Sequence, residues 1–136
     1  MKVLLDTNVV LDVLLAREPF LADSKAVWQA CDDGRINGYI LASALTDIFY
    51  IARKIAGRDS ARQAVEVCLT AFAVCPVNQA VLEQALQLSA SDFEDNVQIA
   101  AAAQSAMDAI FTRNPKDFAH APLVVVTPDA LLAQLA

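Results

Sequence analysis

Apolar and polar positions follow two rhythms along this chain, and the rhythm switches at short intervals. Val3-Leu4-Leu5 is a continuous apolar run, as expected of a strand covered on both faces in a parallel sheet. It runs directly into Asp6-Thr7-Asn8. From Val9 to Arg17 the pattern is that of an apolar helix whose charged members are Asp12 and Arg17. Pro19 suits the start of a second helix reaching Asp33, with Leu21, Val27, Trp28 and Cys31 as its apolar stripe and Gly34 as its end. Asn37 to Leu41 reads as a second strand, and Ser43 as the cap of a helix running to Gly57. Ser43, Asp47, Tyr50 and Lys54 share one face of that helix. Asp59 or Ser60 opens a helix to Thr70, followed by a short strand, Phe72 to Cys75, stopped by Pro76. Asn78 caps a helix to Ser89, and Ser91-Asp92-Phe93-Glu94 has the form of a capping box for a helix to Met107. Ala109 to Thr112 and Leu123 to Val126 are the last two strands, separated by a turn at Asn114 to Phe118, and Pro128 starts a final helix. Strands alternating with helices predict an α/β chain: a three-layer α/β/α sandwich around a central parallel five-stranded sheet.

Length and composition narrow this picture. A chain of 136 residues with no repeat and no linker-like segment predicts one domain over residues 1–136. At 57% hydrophobic and 19% charged residues, a disordered chain is excluded. No apolar run approaches the roughly 20 residues of a membrane span, and Asp6 and Asp12 interrupt any signal-like segment, so a cytoplasmic protein is expected. The three cysteines, Cys31, Cys68 and Cys75, form no C-x-x-C pair and are expected to be buried free thiols. A net charge of −6 is not the footprint of a general nucleic-acid binder; it suits a basic partner, or a polyanion held through cations.

The candidate chemistry lies in the polar residues that end the strands. In open α/β sheets, sites form outside the carboxyl ends of the strands. Asp6 and Asn8 follow the first strand, and Ser43, Thr46 and Asp47 follow the second. Asp92, Glu94 and Asp95 head the long alanine-rich helix. Asp108 stands at the base of the fourth strand, with Thr112, Asn114 and Asp117 beyond its end. Carboxylates crowded at one rim repel one another, and divalent cations would relieve this. All-oxygen ligands suit Mg²⁺ or Mn²⁺ rather than zinc. Each acid also has a plain structural role open to it: Asp6 or Thr7 as a helix cap, Asp92, Glu94 and Asp95 as partners of a helix dipole, and Asp47, Asp108 and Asp117 as solvated surface.

Four pieces carry a resemblance: Leu4-Leu5-Asp6-Thr7-Asn8, Ser43-Ala44-Leu45-Thr46-Asp47, Asp92-Phe93-Glu94-Asp95 with its alanine-rich helix, and Phe111-Thr112-Arg113-Asn114-Pro115-Lys116-Asp117-Phe118. In this order they resemble a PIN domain, the ribonuclease fold of VapC-like toxins of type II toxin–antitoxin systems. The resemblance implies a Mg²⁺- or Mn²⁺-dependent endoribonuclease acting on single-stranded RNA. It further implies a homodimer and a cognate antitoxin. Asp6 matches the family's first acid and Asp95 its third; Asp47 lies near the second, where a Glu is usual. Asn114 replaces the usual fourth acid, with Asp108 or Asp117 able to compensate. Asp6, Asp95 and Asp47 are thus expected to hold one cation and Asn114, with Asp108 or Asp117, to assist a second. Asn8, Thr112, Ser43 and Asp92 are expected as supporting polar groups, and Arg113, Lys116 and Lys54 as RNA phosphate contacts. Arg17 is expected to be ordinary surface charge.

Other classes fit less well. An aspartyl phosphatase would need an acid where Asn8 stands, and a receiver-type signalling domain would need a Lys where Thr127-Pro128 stands. A catalytically weakened PIN fold serving as an RNA- or protein-binding module remains the alternative, with Asn114 as its motive.

Overall fold

Val3, Leu4 and Leu5 are fully buried, because the strand they form is the central one of the sheet. The computed structural model describes residues 1–89, 92–119 and 121–135. In chain order the elements are β1 (Lys2–Leu5), α1 (Thr7–Leu14), α2 (Leu21–Asp32), β2 (Asn37–Leu41), α3 (Ala42–Ala56), α4 (Arg58–Ala71) and β3 (Ala73–Cys75). Then follow α5 (Gln79–Gln87), α6 (Phe93–Gln104), β4 (Ala109–Phe111), a short 3₁₀ helix (Pro115–Phe118), β5 (Val124–Val126) and α7 (Pro128–Leu135). The strand order is β3-β2-β1-β4-β5, and every neighbouring pair is parallel.

This order makes the protein a three-layer α/β/α sandwich. Right-handed crossovers carry the steps from β1 to β2 and from β2 to β3 over one face, and the reverse step from β3 to β4 over the other. Accordingly α1, α2, α3 and α4 pack among themselves, with α7 against α2, while α5 packs against α6. Residues Val97, Ile99, Ala100, Ala101 and Ala102 of α6 are all buried. Their small side chains let the helix lie close to its neighbours. In the register, Leu5 stands beside Ile40 on one side and Phe111 on the other, so β1 and β4 end level and β2 runs one residue further, to Leu41. The chain direction reverses about β1, which puts a topological switch point at its carboxyl end.

Several helix ends differ from expectation, for identifiable reasons. The first helix stops at Leu14 rather than Arg17, and α6 stops at Gln104 rather than near Met107. Both close with a left-handed alanine: Ala16 at φ 50° and Ala106 at φ 54°. Arg17 N donates to Asp12 O and Ala16 N to Val13 O, and the same 6→1 and 5→2 pair joins Met107 to Ala102 and Ala106 to Ala103. Gly34, at φ 76°, closes α2 in the expected way. That helix begins at Leu21 rather than Pro19, and the ring of Phe20 just before it lies 3.8 Å from the Arg113 guanidinium. Ser43 is not a cap. Here β2 passes straight into α3, Leu41 occupies the cap position, and Ser43 is exposed in the first turn. The cap of α6 is Asp92, which accepts from Glu94 N at 2.8 Å and Asp95 N at 3.3 Å; Ser91, the other half of the expected box, lies outside the described residues.

All three cysteines are free. Burial pushes the thiols of Cys31 and Cys68 up to about 12 and about 11. No described helix is long and apolar enough to cross a membrane.

Candidate active site

Asp6 leaves the end of β1 at the switch point, and its backbone N–H donates to Phe111 O at 2.9 Å. It occupies the cap position of α1 but makes no side-chain cap bond. Its carboxylate is held across the sheet instead. Thr112 Oγ1 donates to Oδ2 at 2.8 Å, and Gln98 Nε2 donates to Oδ1 at 3.2 Å. Thr112 is itself fixed, receiving Asn114 N at 3.1 Å on its hydroxyl and donating its N–H to Val126 O at 3.0 Å. Asp6, Thr112 and Gln98 are all buried, so both carboxylate oxygens are oriented by donors within the protein. A role for Asp6 as a plain cap is thereby ruled out.

A cleft of about 410 Å³ opens in front of Asp6. Six carboxylates line it: Asp6, Asp47 from α3, Asp92, Glu94 and Asp95 from the start of α6, and Asp117 from the 3₁₀ helix. Thr7, Asn8, Leu11, Tyr50, Ile51 and Gln98 complete the wall, which contains no Lys or Arg. The crowding is felt electrostatically. Asp95 is pushed up to about 7, first by desolvation and then by the like charges of Asp92, Asp117, Asp6 and Glu94. Glu94 is raised too, by desolvation first and then by Asp47, Asp92 and Asp6.

Not every expected residue reaches this cleft. Asp108 sits at the opposite rim, where its Oδ2 accepts from Lys2 N at 2.7 Å and its N–H donates to Lys2 O at 2.8 Å. By strand rise that rim is about 13 Å from Asp6, because Asp108 precedes β4 whereas Asp6 follows β1. Asn114 is exposed and does not line the cleft, whereas Asp117, one turn on, does. Ser43 is exposed and also outside the lining. Lys54 and Lys116 are exposed.

Arg113 is not a free phosphate contact. Its Nε donates to Asp12 Oδ2 at 2.9 Å and its Nη2 to Asp12 Oδ1 at 3.3 Å, while its face covers Phe20. Asp12 is 0% exposed, and a buried carboxylate requires such a partner. Arg17 adds a longer contact to the same acid, at 3.9 Å. Asp12 and Gln98 were not among the expected site residues. The signal for Gln98 is a polar side chain three residues after Asp95, on the same helical face, within an otherwise apolar run.

A doubly covered parallel sheet with an acidic cleft at its switch point defines the class: an α/β protein with a carboxylate-lined cleft at its carboxyl rim. A family model described as PIN domain matches residues 2–116, and the chain belongs to that family. No curated protein matches the sequence. Among solved structures the chain is similar to a toxin–antitoxin complex from Klebsiella pneumoniae, at 26% identity over 93% of this chain and 97% of that one, with a TM-score of 0.69. It is also similar to DNA-bound VapBC from Salmonella typhimurium, at 15% identity over 94% and 98%, TM-score 0.72. A third is the VapC20 toxin of Mycobacterium tuberculosis, described as cleaving the sarcin–ricin loop, at 16% identity over 79% and 86%, TM-score 0.65. The last two likenesses concern the fold.

Proposed function

We propose that this chain is a divalent-metal-dependent endoribonuclease that cleaves single-stranded RNA, acting as the toxin of a type II toxin–antitoxin pair. One observation carries the reading: six carboxylates from four separated segments line one cleft that holds no Lys or Arg. Membership of the PIN family and the likeness to toxin–antitoxin structures support a nuclease of the toxin kind.

The donor set fits Mg²⁺ or Mn²⁺. It consists of hard carboxylate and amide oxygens, and Asp95 is raised by desolvation first and by its like-charged neighbours second, both of which a cation would offset. Among the described residues, no three His, Cys, Asp or Glu side chains stand close enough to form a ready cage. Mg²⁺ keeps several of its waters and needs only one or two direct carboxylates. Asp6, Asp95 and Asp47 would hold one cation, in part through its own waters, and Asp117, in place of Asp108 and Asn114, would serve a second. Such a cation, when bound, generates a nucleophile from water at neutral pH and stabilises phosphoryl charge. Thr112 and Gln98 orient Asp6, and Lys54 and Lys116 supply exposed positive charge for RNA phosphates.

In this reading the 136 residues act as one cytoplasmic domain, as a homodimer, and an antitoxin with a basic segment covers the acidic cleft. The presence of Asp117 in the cleft weighs against a weakened, binding-only fold. The test is Mn²⁺-dependent cleavage of single-stranded RNA by Asp6→Asn and Asp95→Asn variants whose folding is checked by circular dichroism. Both should lose cleavage while remaining folded. Cleavage undiminished in both would overturn the proposal.

A further inference from the structure

We infer that Gln98 is a positioning residue with two functions: its amide nitrogen fixes Asp6, and its Oε1 accepts a hydrogen bond from a water of the hydrated divalent cation. The inference rests on the metal-dependent reading above and deepens it. Asp6 bears a carboxylate, which only accepts, so the nearer Gln98 atom must be Nε2, which donates at 3.2 Å. The amide orientation is then fixed, and Oε1 faces away from Asp6. Gln98 is 2% exposed, and Oε1 has no hydrogen-bond partner among the described residues. A buried acceptor without a donor is destabilising. Here it belongs to a residue in the wall of a cleft lined by six carboxylates. Asp95 lies three residues earlier on the same helical face, so the residue that carries the orphan oxygen adjoins both acids best placed to hold a cation.

The chemistry of the missing donor follows from this setting. The oxygen itself is closed off in this structure, so a bulky substrate group is out of its reach, and only a group as small as a water, brought in with the cation as the wall adjusts, can serve it. Water polarised by a divalent cation is a strong donor. A neutral amide accepts from it without adding another negative charge to a cleft that already holds six carboxylates. This is the usual work of groups behind the direct ligands, whose loss lowers metal affinity by about 10–100-fold.

The experiment is Mn²⁺ binding by isothermal titration calorimetry, without RNA, on the wild-type chain, Gln98→Met and Thr112→Val. Methionine keeps the length of glutamine but neither donates nor accepts to any strength. Thr112→Val removes the shorter of the two bonds to Asp6 and serves as the measure of losing one donor. We expect Gln98→Met to bind Mn²⁺ about tenfold more weakly or worse, and more weakly than Thr112→Val, at an unchanged fold. An affinity equal to wild type, or a loss no larger than that of Thr112→Val, would overturn the role of Oε1 and leave the nuclease reading standing. If the wild type itself binds no Mn²⁺, both fall together. Should Gln98→Met fail to fold, Gln98→Leu takes its place in the same comparison: a loss larger than that of Thr112→Val supports the inference, and a loss no larger overturns it.

Discussion

Replacing Asp12 by asparagine should destabilise this protein by about 3 kcal/mol. Asp12 is 0% exposed and joins α1 to the segment after β4, accepting Arg113 Nε at 2.9 Å and Nη2 at 3.3 Å, and Ser24 Oγ at 3.4 Å. Asparagine has one acceptor oxygen where the carboxylate has two, so in either orientation its NH₂ group would face a guanidinium N–H: Nη2 at the Oδ1 position, or Nε together with the serine hydroxyl at the Oδ2 position. A charge-assisted bond is lost, and a partly buried guanidinium is left without its counter-charge. Breaking a buried pair from one side costs about 3–5 kcal/mol. The lower end applies, because the Arg113 side chain is 20% exposed and recovers some hydration. For a domain of this size that is a large part of a total near 5–15 kcal/mol. With an m-value near 2 kcal/mol/M the urea midpoint should fall by roughly 1.5 M at constant m. The Asp12→Leu, Arg113→Met double variant should recover most of the loss, since no buried unpaired charge remains and Arg17, 3.9 Å from Asp12, is exposed enough to be hydrated. A change below about 1 kcal/mol for Asp12→Asn would mean the pair behaves like a surface ion pair, and the reasoning from burial would be wrong.

Four further outcomes are expected. Without metal, stability should fall as pH rises from about 4 to about 7. The folded carboxyl of Asp95 is raised to about 7 from 3.8, so the native state binds more protons than the unfolded chain across that window. Asp95→Asn should flatten the slope in melts with EDTA, and an unaltered slope would contradict the assignment. Gly38→Ala should cost about 1–3 kcal/mol, because its Cβ would lie 2.6 Å from Cys31 Sγ and 3.0 Å from Phe72 Cδ1. Adding Cys31→Ala should return part of that, as read by urea unfolding. Ala16→Gly and Ala106→Gly should be neutral or stabilising by up to about 1 kcal/mol, since a left-handed alanine costs about 1–2 kcal/mol and the added chain entropy about 0.4–1. A loss near 1 kcal/mol, as in an ordinary helix interior, would contradict this. Finally, Asp117→Asn should weaken Mn²⁺ binding more than Asn114→Ala does, because Asp117 lines the cleft and Asn114 does not. The reverse order in calorimetry would return the fourth position to Asn114.

The elements legible in the chain were those written in contiguous residues. Val3-Leu4-Leu5 and the valine run of β5 declare strands by composition, and the alanine-rich stretch after Asp95 declares a helix that can pack closely. Helix ends were less legible where an alanine does the work of glycine. Neither Ala16 nor Ala106 carries a stop signal, and their left-handed backbone is imposed by the bonds that close the helix behind them. The fate of Arg113 was illegible for another reason. A Thr-Arg-Asn run after a strand looks like an exposed basic group, and only a buried Asp12, 101 residues away, makes it a structural ion pair. Asp108 shows the converse: it precedes its strand, and in an all-parallel sheet that alone puts it at the rim opposite Asp6.

By itself, then, the sequence determined the kinds of elements, their order, and the placing of Asp6 where a buried strand meets a helix. These follow from side-chain pattern and backbone preference, which act over a few residues. Only the tertiary structure decided that β4 would lie against β1, bringing Thr112 to one oxygen of Asp6 across 106 residues, and that α6 would bring Gln98 to the other across 92. Such partners are chosen by which packing buries the most apolar surface with every strand paired. That quantity belongs to the whole chain and is not carried by any short stretch of it.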